Sequence, residues 1–143
     1  MFQAVLLETQ RYSNIVPNGI PHSCRSDIKV NGITLPAGTM VLPLFEEIFK
    51  GDQWLDGMVF NPKRFIDAEG KLVRPADFLP YSTGRRKCIG EKLAGSELFM
   101  IFSSIVQKFE IYSENEIAEQ MEIGFINIPK NFKIHLRRRN SKE

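Results

Sequence analysis

The apolar positions of the chain change period as it proceeds. Phe2, Val5 and Leu6, with Thr9, recur at helical spacing and predict a helix over 2–12, ended by Asn14, Pro17, Asn18 and Gly19. The period then drops to two. Ile28 and Val30 alternate with Asp27 and Lys29, Asn31-Gly32 gives a strong hairpin signal, and Ile33 and Leu35 continue on the return strand. Met40-Val41-Leu42 reads as a short strand limited by Pro43. Residues 46–57 pattern poorly and read as a short helix and loop. Asn61-Pro62 reads as a helix cap with proline at the first helical position, and 67–70 as a turn.

A loop over 75–88, rich in Pro, Gly and basic residues, precedes the longest predicted helix, 89–109. Its second half, Leu98-Phe99-Met100-Ile101-Phe102 and then Ile105-Val106, is apolar on nearly every side. A helix apolar all round belongs inside a large core or a membrane. This run is too short to span a bilayer and is interrupted by Ser103-Ser104. No second long helix is predicted to cover it, and no capping sequence precedes the helix over 2–12. Both features predict part of something larger. Strands are expected over 121–128 and 132–136. Arg137, Arg138 and Arg139 then open a basic tail over 137–143, expected to be frayed.

Composition narrows the class. The 143 residues make one domain-sized unit, and 43% apolar with 25% charged residues exclude a disordered or collagen-like chain. A formal charge of +2 is too small a surplus to argue for nucleic acid. No basic-plus-apolar leader opens the sequence. Cys24 and Cys88 sit far apart with unlike neighbours, which speaks against a disulfide framework. Cys24 lies two residues from His22, but without further ligands it reads as a plain thiol.

The candidate chemistry lies in the loop Tyr81-Ser82-Thr83-Gly84-Arg85-Arg86-Lys87-Cys88-Ile89-Gly90. Cys88 is expected at a helix N-terminus beside three cations, where the helix dipole and the charges both favour a thiolate. Gly84 and Gly90 permit left-handed turns and close backbone approach. Such a thiolate suits an axial metal ligand, and equally a redox-reactive cysteine.

This loop resembles the haem-binding signature of the cytochrome P450 family, F-x-x-G-x-R-x-C-x-G, with Tyr81 where the family usually has Phe. Two further boxes stand in family order. Glu8-Thr9-Gln10-Arg11 is an E-x-x-R, and Pro62-Lys63-Arg64-Phe65 resembles the P-x-R-F segment. Pro21-His22 followed by Asp27, and Gly90-Glu91, are similar to the microsomal group that oxidises steroids, fatty acids and xenobiotics. Phe49, Lys50 and Gly57 stand where the family often has a His-Asp pair and a proline, and Gly95 where relatives often carry Arg.

The resemblance runs from Phe2 to about Leu136 and implies the C-terminal portion (1–143) of a single P450 domain. The fold class it implies is an α+β fragment of a mainly α fold: an ExxR helix, small β-sheets, a meander, the cysteine loop and one long core helix. It implies haem b (iron protoporphyrin IX) as cofactor, with Cys88 as the iron's thiolate ligand and the catalytic centre. It further implies propionate contacts from Arg86 and His22, with Tyr81, Gly84, Gly90 and Ala94 against the haem. Glu8, Arg11 and Arg64 are implied to form a buried structural network, and Arg85, Lys87 and Lys92 a docking surface for an electron donor. Ile15, Val16 and Ile20, and the stretch Ile123 to Ile126, match regions that line substrate pockets in the family. The implied activity is a monooxygenase that inserts one oxygen atom from O₂ into a small apolar substrate, with electrons from NADPH through a flavoprotein reductase. The implied setting is the cytosolic face of the endoplasmic reticulum membrane, with membrane attachment and the oxygen-activating helix lying outside these residues. The fragment alone is expected to bind haem weakly and turn nothing over. A P450-like haem protein without turnover, and a small thiol-redox or interaction module built on Cys88, are the alternatives.

Overall fold

The computed structural model describes residues 1–117, 120–122 and 124–140. Helix α1 (Phe2–Ser13) is followed by β1 (His22–Ser23), β2 (Ile28–Val30), β3 (Ile33–Leu35) and β4 (Met40–Val41). Then come α2 (Phe45–Lys50), a 3₁₀ turn at Pro62–Phe65, a second at Gly84–Arg86, and α3 (Glu91–Lys108). Strands β5 (Phe109–Tyr112), β6 (Met121–Glu122), β7 (Ile128–Pro129) and β8 (His135–Arg138) complete the described chain. The strands form separate two-stranded antiparallel ribbons, β1-β4, β2-β3, β5-β8 and β6-β7. The result is the α+β arrangement expected, helices with small sheets around them. No helix is long and apolar enough among the described residues to cross a membrane.

The β2-β3 hairpin turns at Asn31 and Gly32, whose φ values of 48° and 83° are the paired left-handed conformations that this dipeptide favours. Asn61 caps the first 3₁₀ turn: its side chain accepts from the Lys63 N–H at 3.1 Å, and Pro62 follows at the first position. The core lies between α1, α2 and the segment 54–79. Ala4, Leu7, Phe45, Phe49, Trp54 and Phe65 are buried, and Phe78 packs edge-on to Phe65 at 4.9 Å between centroids.

Helix α1 forms as the spacing predicts, and it buries Ala4 and Leu7 together with Glu8 and Arg11. Phe2 packs on Phe99 and Phe102 of α3. Several expectations need correction. The long helix starts at Glu91 and stops at Lys108, because Phe109 leaves it to pair with Arg138. The strand expected over 121–128 is two short strands, β6 and β7, folded onto each other; Ile123 lies outside the described residues. The strand expected over 132–136 begins at His135 and runs on through Arg138.

The tail is not frayed where it is described. Arg137 and Arg138 belong to β8, and the Arg139 side chain donates to the carbonyls of Val106 (3.0 Å) and Phe109 (3.2 Å), while its N–H reaches Lys108 O at 2.8 Å. A cation there complements the carbonyl end of α3. Residues 141–143 lie outside the described residues.

Candidate functional site

Glu8 and Arg11 lie one turn apart on α1 and are both fully buried. The Arg11 fork grips the Glu8 carboxylate twice, Nε to Oε2 at 2.7 Å and Nη2 to Oε1 at 2.8 Å. Its other N–H groups go to backbone carbonyls: Nη1 to Phe49 O (2.5 Å) and Gly57 O (2.7 Å), Nη2 to Val59 O (3.2 Å). All five guanidinium donors are thereby engaged, which a lysine could not match. Arg64 adds a second cation, with Nε 3.1 Å from Glu8 Oε1, and it also donates to Leu55 O, Asp56 O and Val59 O. Glu8 Oε1 takes a further bond from the Asn61 N–H at 2.7 Å.

One carboxylate facing two guanidiniums would leave uncompensated positive charge in a dry interior. The ring of backbone carbonyls from 49 to 59 supplies the missing negative end of the dipoles. Trp54 lies under both guanidiniums, with centroids 5.3 Å from Arg11 and 5.8 Å from Arg64. Gly57 is required for this closeness: a Cβ there would stand 2.7 Å from Lys50 O.

Cys88 sits just ahead of Gly90, the N-cap residue of α3, and is solvent-exposed. Left-handed backbone at Ser82 (φ 63°) and Gly84 (φ 69°) turns the loop, so that the Cys88 N–H reaches Tyr81 O at 2.9 Å. The sulfur borders Gly90, where a Cβ would stand 3.8 Å from Sγ. Ala94 is fixed one turn on by its N–H to Gly90 O at 2.9 Å. Burial pushes the Tyr81 phenol above its ordinary value, and negative charge on Cys88 and Glu91 pushes the same way against Arg74. The phenol is therefore a neutral group at physiological pH. Lys87 is tied to Glu91 at 2.5 Å, whereas Arg85 and Lys92 are exposed. Arg86 is exposed too, and its side chain makes no hydrogen bond or ion pair among the described residues.

Two groupings thus emerge: Glu8, Arg11 and Arg64 in one buried network, and Tyr81, Gly84, Cys88, Gly90 and Ala94 in one loop and helix start. His22 stands apart, half-buried on β1 opposite Val41, with no hydrogen bond to the cysteine loop among the described residues. Cys24 is held by backbone bonds to Thr39 and Gly38, and no group of three metal-ligating side chains is gathered among the described residues. A cavity of about 960 Å³ lies between α1, the segment 72–83 and α3, with Tyr81, Lys87 and Glu91 on its wall. The sequence reading missed the carbonyls of Phe49, Gly57 and Val59, which carry no side-chain signal. Asn61 was legible as a cap, but not as a donor to Glu8.

The family model described as Cytochrome P450 matches residues 1–136. Cytochrome P450 18a1 of Drosophila melanogaster is 38% identical over 141 residues, covering 96% of this chain and 26% of the relative. Cytochrome P450 2D6 of Homo sapiens is 43% identical over 107 residues, 74% of this chain and 22% of the relative. Farnesoate epoxidase of Bombyx mori is 41% identical over 109 residues, 76% of this chain and 22% of the relative. The chain therefore spans about a quarter of the length of the curated relatives it matches.

Proposed function

The chain belongs to the cytochrome P450 family, and from that premise we propose that it forms the thiolate side of a haem monooxygenase, as the C-terminal portion of a larger P450 domain. The observation that carries the proposal is the Cys88 loop: an exposed sulfur beside glycine, backbone-fixed to Tyr81, at the entrance to an uncovered apolar helix. These residues fit haem b. Cys88 offers a soft sulfur donor, Ile89 beside it is fully exposed, and the Arg86 guanidinium, unpaired among the described residues, is open to an anionic propionate.

In this reading Cys88 holds the iron, and Gly84, Gly90 and Ala94 leave room against the ring. Arg86 and His22 bind propionates. Tyr81 fixes the cysteine backbone through its carbonyl. Glu8, Arg11 and Arg64 hold α1 and the segment 49–64 rigid behind the loop. When bound, the haem supplies oxygen activation, which thiolate ligation favours. The substrate is a small apolar molecule. Arg85 and Lys92, with Lys87 held to Glu91, form the cationic face for an NADPH-dependent flavoprotein reductase at the cytosolic side of the endoplasmic reticulum membrane. Farnesoate epoxidase, by its name, epoxidises farnesoate, and that relative supports an organic substrate with an oxidisable apolar part.

The test is spectroscopic. The haem-loaded protein containing this chain should give the carbon monoxide difference band of a thiolate-ligated ferrous haem, and Cys88→His should replace it with an imidazole-type spectrum. A thiolate band that survives Cys88→His would refute the assignment. The isolated chain should bind haem weakly and show no turnover; stable stoichiometric haem with a thiolate spectrum would contradict that part.

A further inference from the structure

Two Asn-Gly pairs occur in the chain, Asn18-Gly19 and Asn31-Gly32, and the fold treats them oppositely. Both asparagines are exposed. Gly19 is buried, and its N–H donates to Val16 O at 3.1 Å. A Cβ there would stand 2.5 Å from Pro43 Cγ and 2.9 Å from Phe45 Cε2, so this peptide is packed in place. Pro17, on the other side of Asn18, is buried too, and its carbonyl accepts the Glu46 N–H at 3.2 Å. Gly32 is exposed, and a Cβ there would meet nothing within 4 Å. Among the described residues its N–H has no hydrogen-bond partner, and neither has the Asn31 side-chain amide.

Little holds the hairpin around Asn31 shut. Strands β2 and β3 pair over Ile28–Val30 and Ile33–Leu35 alone. They form a ribbon of their own and are exposed at every position but Leu35. A lone two-stranded ribbon is marginally stable in water, so it opens readily. Opening releases Asn31 and Gly32 from the left-handed turn. The Gly32 nitrogen can then swing to the Asn31 side-chain carbonyl carbon, with no side chain of its own to hinder it.

We propose that Asn31 is a self-modifying site, at which the hairpin tip turns from a neutral amide into a carboxylate without an enzyme. The Gly32 backbone nitrogen gives its proton to hydroxide and attacks Cγ of Asn31. A new C–N bond closes a five-membered imide. The bond from Cγ to the side-chain nitrogen breaks, and that nitrogen takes a proton from water and leaves as ammonia. One water then adds to either imide carbonyl, which leaves aspartate or isoaspartate at position 31. Nothing is oxidised or reduced. The formal charge of the chain falls by one unit from +2. Isoaspartate also inserts a carbon into the main chain, so the two-residue loop no longer sets the register of Val30 against Ile33. The α-carboxylate it exposes is the group that a carboxyl methyltransferase of the isoaspartate-repair type methylates.

The test is to age the full chain in mildly alkaline buffer, native and in denaturant, and to follow positions 18 and 31 by peptide mass mapping. In the native chain Asn31 should convert at least about tenfold faster than Asn18, because Gly19 must first lose a hydrogen bond and its packing. In denaturant the two rates should converge. Equal rates in the native chain, or faster loss of Asn18, would overturn the proposal. An isoaspartyl carboxyl methyltransferase with a labelled methyl donor supplies a second readout on the aged native chain. Asn31→Gln sits at an exposed turn, leaves the core untouched and closes the imide ring poorly. It should remove most of the label, and a label that persists undiminished would overturn the assignment to Asn31.

Discussion

Around α1, Glu8 and Arg11 are fully buried and every donor of Arg11 is engaged; α3, the longer helix, buries no residue at all. Leu93, Met100 and Ile101 of α3 are each more than 60% exposed. The first region draws its charge compensation, its carbonyl acceptors and its aromatic packing from residues within the span 4–78. The second is an apolar rod touched on one side, where Phe2 meets Phe99 and Phe102. A buried polar network can be finished by groups that this chain itself supplies, while an apolar helix is finished only by cover brought to it. The stability of the chain therefore resides in the first region, and the free energy of burying α3 has to come from surfaces outside these residues.

Breaking the first region gives the largest effect. Glu8→Ala strands two guanidiniums, one of them fully buried, and should cost about 3–5 kcal/mol in denaturant unfolding. A cost below about 1 kcal/mol would mean that the network is not the keystone of this half. Gly57→Ala forces a Cβ against Lys50 O and should cost about 1–3 kcal/mol in the same measurement, through the carbonyls it displaces from Arg11.

The pH dependence of the first region is smaller. Burial pushes the Glu46 carboxyl up, but hydrogen bonds to Lys50 and Asn14 and the Lys50 charge outweigh it and hold the group below its ordinary 4.5. The folded chain then binds this proton less tightly than the unfolded chain. Its contribution is present above 4.5 and lost as pH falls through the lowered folded value. Glu46→Gln should flatten the acid limb of the stability profile by less than about 1 kcal/mol, since the pair is partly solvated. Smallest of all, Ile101→Ala should move the stability of the isolated chain by less than about 0.5 kcal/mol. In the haem-loaded full domain proposed above, the same change should cost about 2–5 kcal/mol, and equal effects in both settings would erase the contrast between the regions.

The same contrast explains what the sequence made legible. The turn at Asn31-Gly32, the Asn61-Pro62 cap and the apolar circumference of α3 are short-range features written in side-chain type. Hydropathy alone does not mark the buried face of α1, because two of its members, Glu8 and Arg11, are charged and each is the other's solvent; the E-x-x-R box is what made their burial legible. Their spacing marked them as a pair, but the carbonyls of Phe49, Gly57 and Val59 that complete the site have no sequence signature. The end of α3 was misplaced by a long-range event, the pairing of Phe109 with Arg138. The hydrogen bond from the Asn127 side chain to the Asn14 carbonyl spans too much chain for any local pattern to announce it.

The Arg11 fork also bears on the order in which the chain can fold. Its bonds to Phe49, Gly57 and Val59 close long loops from α1, and the entropy of each closure grows only with the logarithm of its length. Once the first is closed, the next requires only the short stretch between Phe49 and Gly57 to be fixed, so the later bonds form at a fraction of the first one's cost. A desolvated guanidinium gains nothing until all of its acceptors are in place. The network should therefore assemble late and in one step, and its loss should appear as faster unfolding rather than slower folding.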